Sequence, residues 1–201
     1  MTRTPAILLR RDCSAVRVPS GDTAVLPEGA AVYLVQSLGG SFTVQAPTVG
    51  GLFRIEAGDA DALGLEAPDH SPVPKAAHEG PASEEEVWAA LRQCYDPEIP
   101  VNVVDLGLVY DLTIYPMRGG SPMQGGSPVQ GGSPAGAGGS HVSVKMTLTA
   151  PGCGMGPAIA ADARGRILAV PGVASADVAL VWDPPWSAEM MSPDGRRILG
   201  V

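Results

Sequence analysis

The chain has 201 residues, and its 45% hydrophobic content is enough for a buried core in one domain or two small ones. Thirteen Lys and Arg against 21 Asp and Glu leave a formal net charge of -8, which argues against sequence-independent nucleic-acid binding because no basic surplus exists to displace counterions. The cysteines, Cys13, Cys94 and Cys153, are odd in number and far apart, so a secreted disulfide framework is excluded and each is expected as a free thiol.

The apolar run at residues 6–9 meets Arg10 and Arg11 at once and is too short for a signal-peptide core. No other segment suits a bilayer span, so the expected location is cytoplasmic, away from membranes. Residues 13–65 read as short strands separated by turns such as "PSGD", "PEG" and "GGS". Phe42, Val44 and Ala46 alternate with Thr43 and Gln45, and Phe53 and Ile55 with Arg54 and Glu56, as half-buried strands do. The run "AAVYLVQ" is apolar on both faces and predicts a central strand. A small all-β domain over residues 1–66 is therefore expected. Residues 67–82, with four prolines, read as a linker in which His70 and His78 are solvated.

A helix is expected from Ser83, where Ser83 and Glu86 form a capping box and three glutamates sit at the positive end of the helix dipole. Val87, Leu91 and Cys94 follow at helical spacing, which makes Cys94 a core residue. "LGLVYDLTIYP" and "HVSVKMTLT" alternate as two strands of a hairpin. Between them, residues 119–140 repeat a GGSPxQ-like hexapeptide with little apolar content, a low-complexity expansion of the hairpin loop. Ile159, Ala163, Ile167 and Val170 trace a second helix that stops at "PG", and "ASADVALVW" is a last strand before a short tail. The expected architecture is α+β: the all-β domain, then a helix-strand-strand-helix-strand domain over residues 83–201.

"TAPGCGMG", residues 149–156, sets Cys153 among three glycines just ahead of a helix N-terminus, an environment that favours a thiolate. His141, the one histidine of this domain, stands about 25 Å away along an unbroken strand, too far to serve as a base. No CxxC is present, and a closed zinc or iron-sulfur site wants about four ligands, so an open or transient thiolate site remains. Asp96, Glu98 and Asp105 cluster in "DPEIPVNVVDLG", where they either line a pocket or serve turn chemistry. Trp182, Trp186, Met190 and Met191 offer either a partner surface or packing for the tail.

"YDPEIPVNVVDLGLVYDL", "VKMTLTAPGCGMG" and "VWDPPWSAEMMSPDGRRILG", in this order, resemble the SufT family of iron-sulfur cluster assembly factors, part of a wider group with PaaD-like domains. The PaaD-like portion covers residues 83–201, and the β-rich segment before it resembles the N-terminal extension of the SufT branch. The resemblance implies an auxiliary, non-catalytic factor that binds or transfers iron or a labile iron-sulfur cluster through Cys153, with Asp96, Glu98, Asp105, Thr147 and Thr149 as pocket residues. It implies SUF-type assembly proteins and client apoproteins as partners, with a homodimer left open. Two alternatives stand beside it: a metal-free adaptor that docks the machinery onto clients, and a PaaD-like maturation factor of a ring-hydroxylating oxygenase. The hexapeptide expansion departs from the family pattern.

Overall fold

The protein is described by a computed structural model over residues 5–66, 81–118, 121–122 and 139–201. The proline-rich stretch with His70 and His78, and nearly all of the hexapeptide repeat, lie outside the described residues. The fold is α+β, and the chain forms two compact units. One comprises Met1–Ser71 together with Tyr95–Pro100 and Gly152–Ala158; the other comprises Pro72–Cys94, Val101–Pro151 and Ile159–Val201.

The first unit holds six strands, β1 (Ala6–Leu8), β2 (Cys13–Val18), β3 (Thr23–Leu26), β4 (Ala31–Leu38), β5 (Ser41–Gln45) and β6 (Leu52–Glu56). They form one sheet in the order β1-β4-β5-β6-β2-β3, with every neighbouring pair antiparallel. Leu26, Val32, Phe42, Val44, Phe53 and Ile55 fill its core. The centre belongs to β5 and β6. The strand β4, expected to be buried on both faces, lies one place from the edge and leaves Tyr33 and Val35 exposed. The half-buried alternation expected of the central pair also fails at one place. Thr43 and Arg54, cross-strand partners, are both buried, because the segment 95–100 of the same unit crosses there. The Thr43 hydroxyl donates to the Pro97 carbonyl (3.1 Å) and the Gln36 amide to the Asp96 carbonyl (3.1 Å).

In the second unit β7 (Val109–Arg118) and β9 (Ser140–Met146) pair antiparallel as the hairpin pattern predicts, with the short β8 (Ser121–Pro122) beyond β7. The strand β10 (Val173–Leu180) adds to β9 in parallel, reached through helix α2 (Gly156–Ala169), so β9-α2-β10 is a crossover unit. Val142, Val144 and Met146 of β9 and Ile159, Ala163 and Ile167 of α2 are all fully buried, the stripe and face that the two periodicities require. Helix α1 (Glu84–Leu91) buries Val87 and Leu91. Ser83 occupies its N-cap without a side-chain capping bond, so the expected capping box is not formed. Cys94 lies beyond the C-cap Arg92 yet is fully buried, with its sulfur 3.8 Å from the Ile159 carbonyl oxygen.

The tail holds a helix that hydrophobic periodicity misses. Helix α3 (Pro193–Leu199) starts on Ser192, whose hydroxyl accepts from the Gly195 N–H, and ends at Gly200 with φ +73°. Proline just inside the start and glycine just past the end are its sequence signature.

Candidate functional site

Of the three thiols, Cys13 and Cys94 are buried and Cys153 is partly exposed. Burial pushes the Cys13 thiol up to about 11, which holds it protonated and inert near neutrality. Cys153 sits in the loop between β9 and α2, and its carbonyl accepts the Gly156 N–H (3.2 Å) at the mouth of the helix. Two of the flanking glycines have separate reasons. Gly152 takes φ +81°, a left-handed turn conformation that a side chain would strain. Gly154 packs within its own unit against the Ser20 carbonyl, where a Cβ would collide with the oxygen. Gly154 is thus required by the chain's own packing.

Asp96 is 6% exposed and organises its own turn: one carboxylate oxygen accepts the N–H groups of Glu98 (2.8 Å) and Ile99 (3.2 Å). Burial raises its pKa, and those two hydrogen bonds oppose the rise. Glu98, by contrast, is exposed.

Asp105 closes a clasp. Its two carboxylate oxygens accept separately from the Asn102 side-chain amide (2.6 Å) and the Ser192 hydroxyl (2.8 Å), while its carbonyl accepts the Ser192 N–H (2.9 Å). Asn102 in turn caps the turn by accepting from the N–H groups of Val104 and Asp105. Gly195 lies so close that a Cβ would meet the Asp105 carbonyl oxygen at 2.5 Å, and the Trp186 indole donates to the Leu106 carbonyl at 2.7 Å. The turn 102–107 therefore holds the whole C-terminal segment. Asn102 and Ser192 carry no signal of chemistry in the sequence, although Asn three residues before Asp and Ser before Pro are the local signals for such a turn and cap.

Thr147 and Thr149 share a cavity of about 50 Å³ with Leu148, Pro151, Trp182, Pro185 and Trp186. Thr147 is 1% exposed, and its hydroxyl has no hydrogen-bond partner among the described residues. His141 is engaged in structure: Nδ1 shares a 2.8 Å hydrogen bond with the Ser175 hydroxyl and the ring stacks on Tyr115. The six residues expected at the site are divided between the two compact units, with Asp96, Glu98 and Cys153 in the first and Asp105, Thr147 and Thr149 in the second. Among the described residues, no group of three or more His, Cys, Asp or Glu side chains is arranged to hold a metal ion. No helix among them is long and apolar enough to cross a membrane.

A family model described as an iron-sulfur cluster assembly protein matches residues 84–118 and 137–178. The Fe-S protein maturation auxiliary factor of Porphyromonas gingivalis is 37% identical over 118 residues, which are 59% of this chain and 91% of that protein. The chain belongs to this family of iron-sulfur protein maturation factors. Two further maturation factors are similar to it: YitW of Bacillus subtilis, 32% identical over 120 residues (60% of this chain, 96% of that protein), and SufT of Staphylococcus aureus, 32% identical over 106 residues (53% and 96%). The match consumes nearly the whole of each relative but little more than half of this maturation factor. The six-stranded sheet of residues 6–56 lies outside the family-model match.

Proposed function

We propose that this maturation factor acts as an auxiliary, non-catalytic component of iron-sulfur cluster assembly, in which Cys153 supplies one ligand to iron or to a labile cluster as cargo. The observation that supports the reading is the contrast among the thiols: Cys153 is the one cysteine with exposed surface, while Cys13 and Cys94 are sealed in the core. A thiolate is a soft ligand suited to iron-sulfur chemistry. A single chain that provides one such ligand leaves the others to a donor, an acceptor or a second copy, and cargo held incompletely is cargo that can be released. The partners of this reading are SUF-type assembly proteins and client apoproteins, with a homodimer as one source of the second thiolate, in the cytoplasm. Of the other expected pocket residues, Asp96 and Glu98 share the first unit with Cys153, and the Asp96 carboxylate already serves its own turn, while Asp105, Thr147 and Thr149 belong to the second unit, where the Asp105 carboxylate clasps Asn102 and Ser192.

Anaerobic reconstitution of the full chain with ferrous iron and sulfide tests this reading. The wild type should gain sulfur-to-iron charge-transfer absorbance with bound iron and sulfide, and Cys153→Ala should lose most of it. Equal loading of the two proteins would remove Cys153 as the ligand; no loading of either would leave the metal-free adaptor as the better account, and unchanged capture of assembly proteins by Cys153→Ala would then support that account directly.

A further inference from the structure

The strand β10 closes one side of the second unit's sheet, and among the described residues no strand pairs with its outer edge. The direction of its backbone groups follows from one bond. The Val181 N–H donates to the Met146 carbonyl (2.8 Å), and successive residues of a strand turn their N–H and C=O to opposite sides. Asp177 and Ala179 therefore bond β9, while Ala176, Val178 and Leu180 present their N–H and C=O outward. Arg164 marks the same direction, since its Nε donates to the Ala176 carbonyl from α2 (2.8 Å) and leaves that oxygen a second lone pair. The side chains also run out to the edge. On the face with Val142, Val144 and Met146, all fully buried, Val178 and Leu180 are only half-buried. On the opposite face Asp177 is exposed and has no ion pair among the described residues, and the exposed Lys145 has only a loose one, 3.7 Å from Asp111. Between Val173 and Leu180 the strand carries none of the lysines or prolines that guard a solvent edge, and its bulge lies at the far end, between Val173 and Ser175.

We propose that β10 is the contact between two copies of this maturation factor, joined edge to edge and antiparallel about a two-fold axis at Val178, so that two four-stranded sheets become one. In that register Val178 meets the partner's Val178 and Leu180 meets the partner's Ala176 as hydrogen-bonded pairs, and the half-buried side chains complete one apolar layer. Asp177 then stands opposite the partner's Ala179, which is itself the cross-strand neighbour of the partner's Lys145. Two strand spacings, about 10 Å between Cα atoms, separate Asp177 from the partner's Lys145, and the alanine between them leaves the lysine free to reach across. Symmetry forms this ion pair twice. An axis centred on Asp177 instead would set two carboxylates face to face, which disfavours that register. Charge complementarity thus commits the edge to a second copy of this chain rather than to an arbitrary strand. The contact uses no atom of Cys153, so it holds whether or not that thiol carries cargo.

Analytical ultracentrifugation of the full chain over a dilution series tests the contact. The wild type should show a monomer–dimer equilibrium, and Cys153→Ala should show the same one, which separates failure of this proposal from failure of the cargo reading. Asp177→Lys sets two lysines together at each end of the contact and should weaken the dimer about tenfold, the combined effect of two exposed pairs. The double variant Asp177→Lys with Lys145→Asp rebuilds both pairs in reverse and should regain most of the loss. Cross-linking reads the register itself. In a Cys153→Ala background, Asp177→Cys chains mixed with Ala179→Cys chains should form a disulfide-linked dimer under diamide faster than either variant alone. A monomer at every concentration, full-strength association of a folded Asp177→Lys protein, no recovery in the double variant, or equal cross-linking in the mixture and in the separate variants would overturn the proposal.

Discussion

Replacing Asp105 by alanine removes the acceptor for two side-chain donors at once. Asn102 and Ser192 each lose a charged acceptor at 2.6 and 2.8 Å, and the start of α3 loses its tie to the turn at 102–107. A hydrogen bond to a charged group contributes about 1.5–3 kcal/mol when well buried. Asp105 is only half-buried, and solvent can take over part of what it gives up, so about 1 kcal/mol per bond and about 2 kcal/mol in all is the fitting magnitude. At a urea m-value of about 2 kcal/mol per molar, the unfolding midpoint should fall by about 1 M. Trp186 is the natural probe, since its indole N–H is fixed to Leu106 in the same turn. Asp105→Asn keeps one good acceptor and should lose about half as much. An unchanged midpoint for Asp105→Ala, with iron loading abolished, would refute the clasp and make Asp105 a cargo ligand instead.

Gly154→Ala should destabilise the first unit by about 2–3 kcal/mol, because the new Cβ is driven into the Ser20 carbonyl, whereas Gly152→Ala should cost only the left-handed conformation, about 1–2 kcal/mol; thermal melts of the two variants rank them. An aromatic disulfide reagent at pH 8 should titrate one thiol per native chain and three in denaturant, and Cys153→Ala should show none until it unfolds. The raised pKa of Cys13 fixes the sign of an alkaline effect: its unfolded thiol ionises near 9 while the folded one holds its proton to about 11, so stability falls as pH rises from 9 towards 11. Cys13→Ala should flatten that decline in denaturant midpoints measured across this range.

Much of the second unit could be read from the sequence because its pattern is local. The stripe of Ile159, Ala163 and Ile167 and the alternation of Val142, Val144 and Met146 each carry the period of their element, and every one of these residues is buried. The departures come from neighbours that a local pattern does not contain. Tyr33 and Val35 are exposed because β4 is displaced from the sheet centre by β5 and β6, and strand order is a long-range property. Arg54 and Thr43 are buried because residues 95–100, distant in sequence, cross the sheet at that pair. Helix α3 escapes the pattern for a different reason. It is seven residues long with only Gly195 buried, so it carries almost no hydrophobic period and announces itself through Ser192, Pro193 and Gly200 alone. At the candidate site, the residue types of the motifs were legible but their division of labour was not. The carboxylate of Asp105 and the bare backbone of Gly154 serve the protein's own packing, and the orphaned hydroxyl of Thr147 emerges only when its surroundings are known.

Ligation of iron by Cys153 is the central proposal. The most direct measurement is the Mössbauer spectrum of the full chain loaded anaerobically with Mössbauer-active iron, compared with that of Cys153→Ala prepared identically. A doublet typical of sulfur-coordinated tetrahedral iron in the wild type, absent from the variant, is the predicted result. The same doublet at the same intensity in both proteins would contradict it.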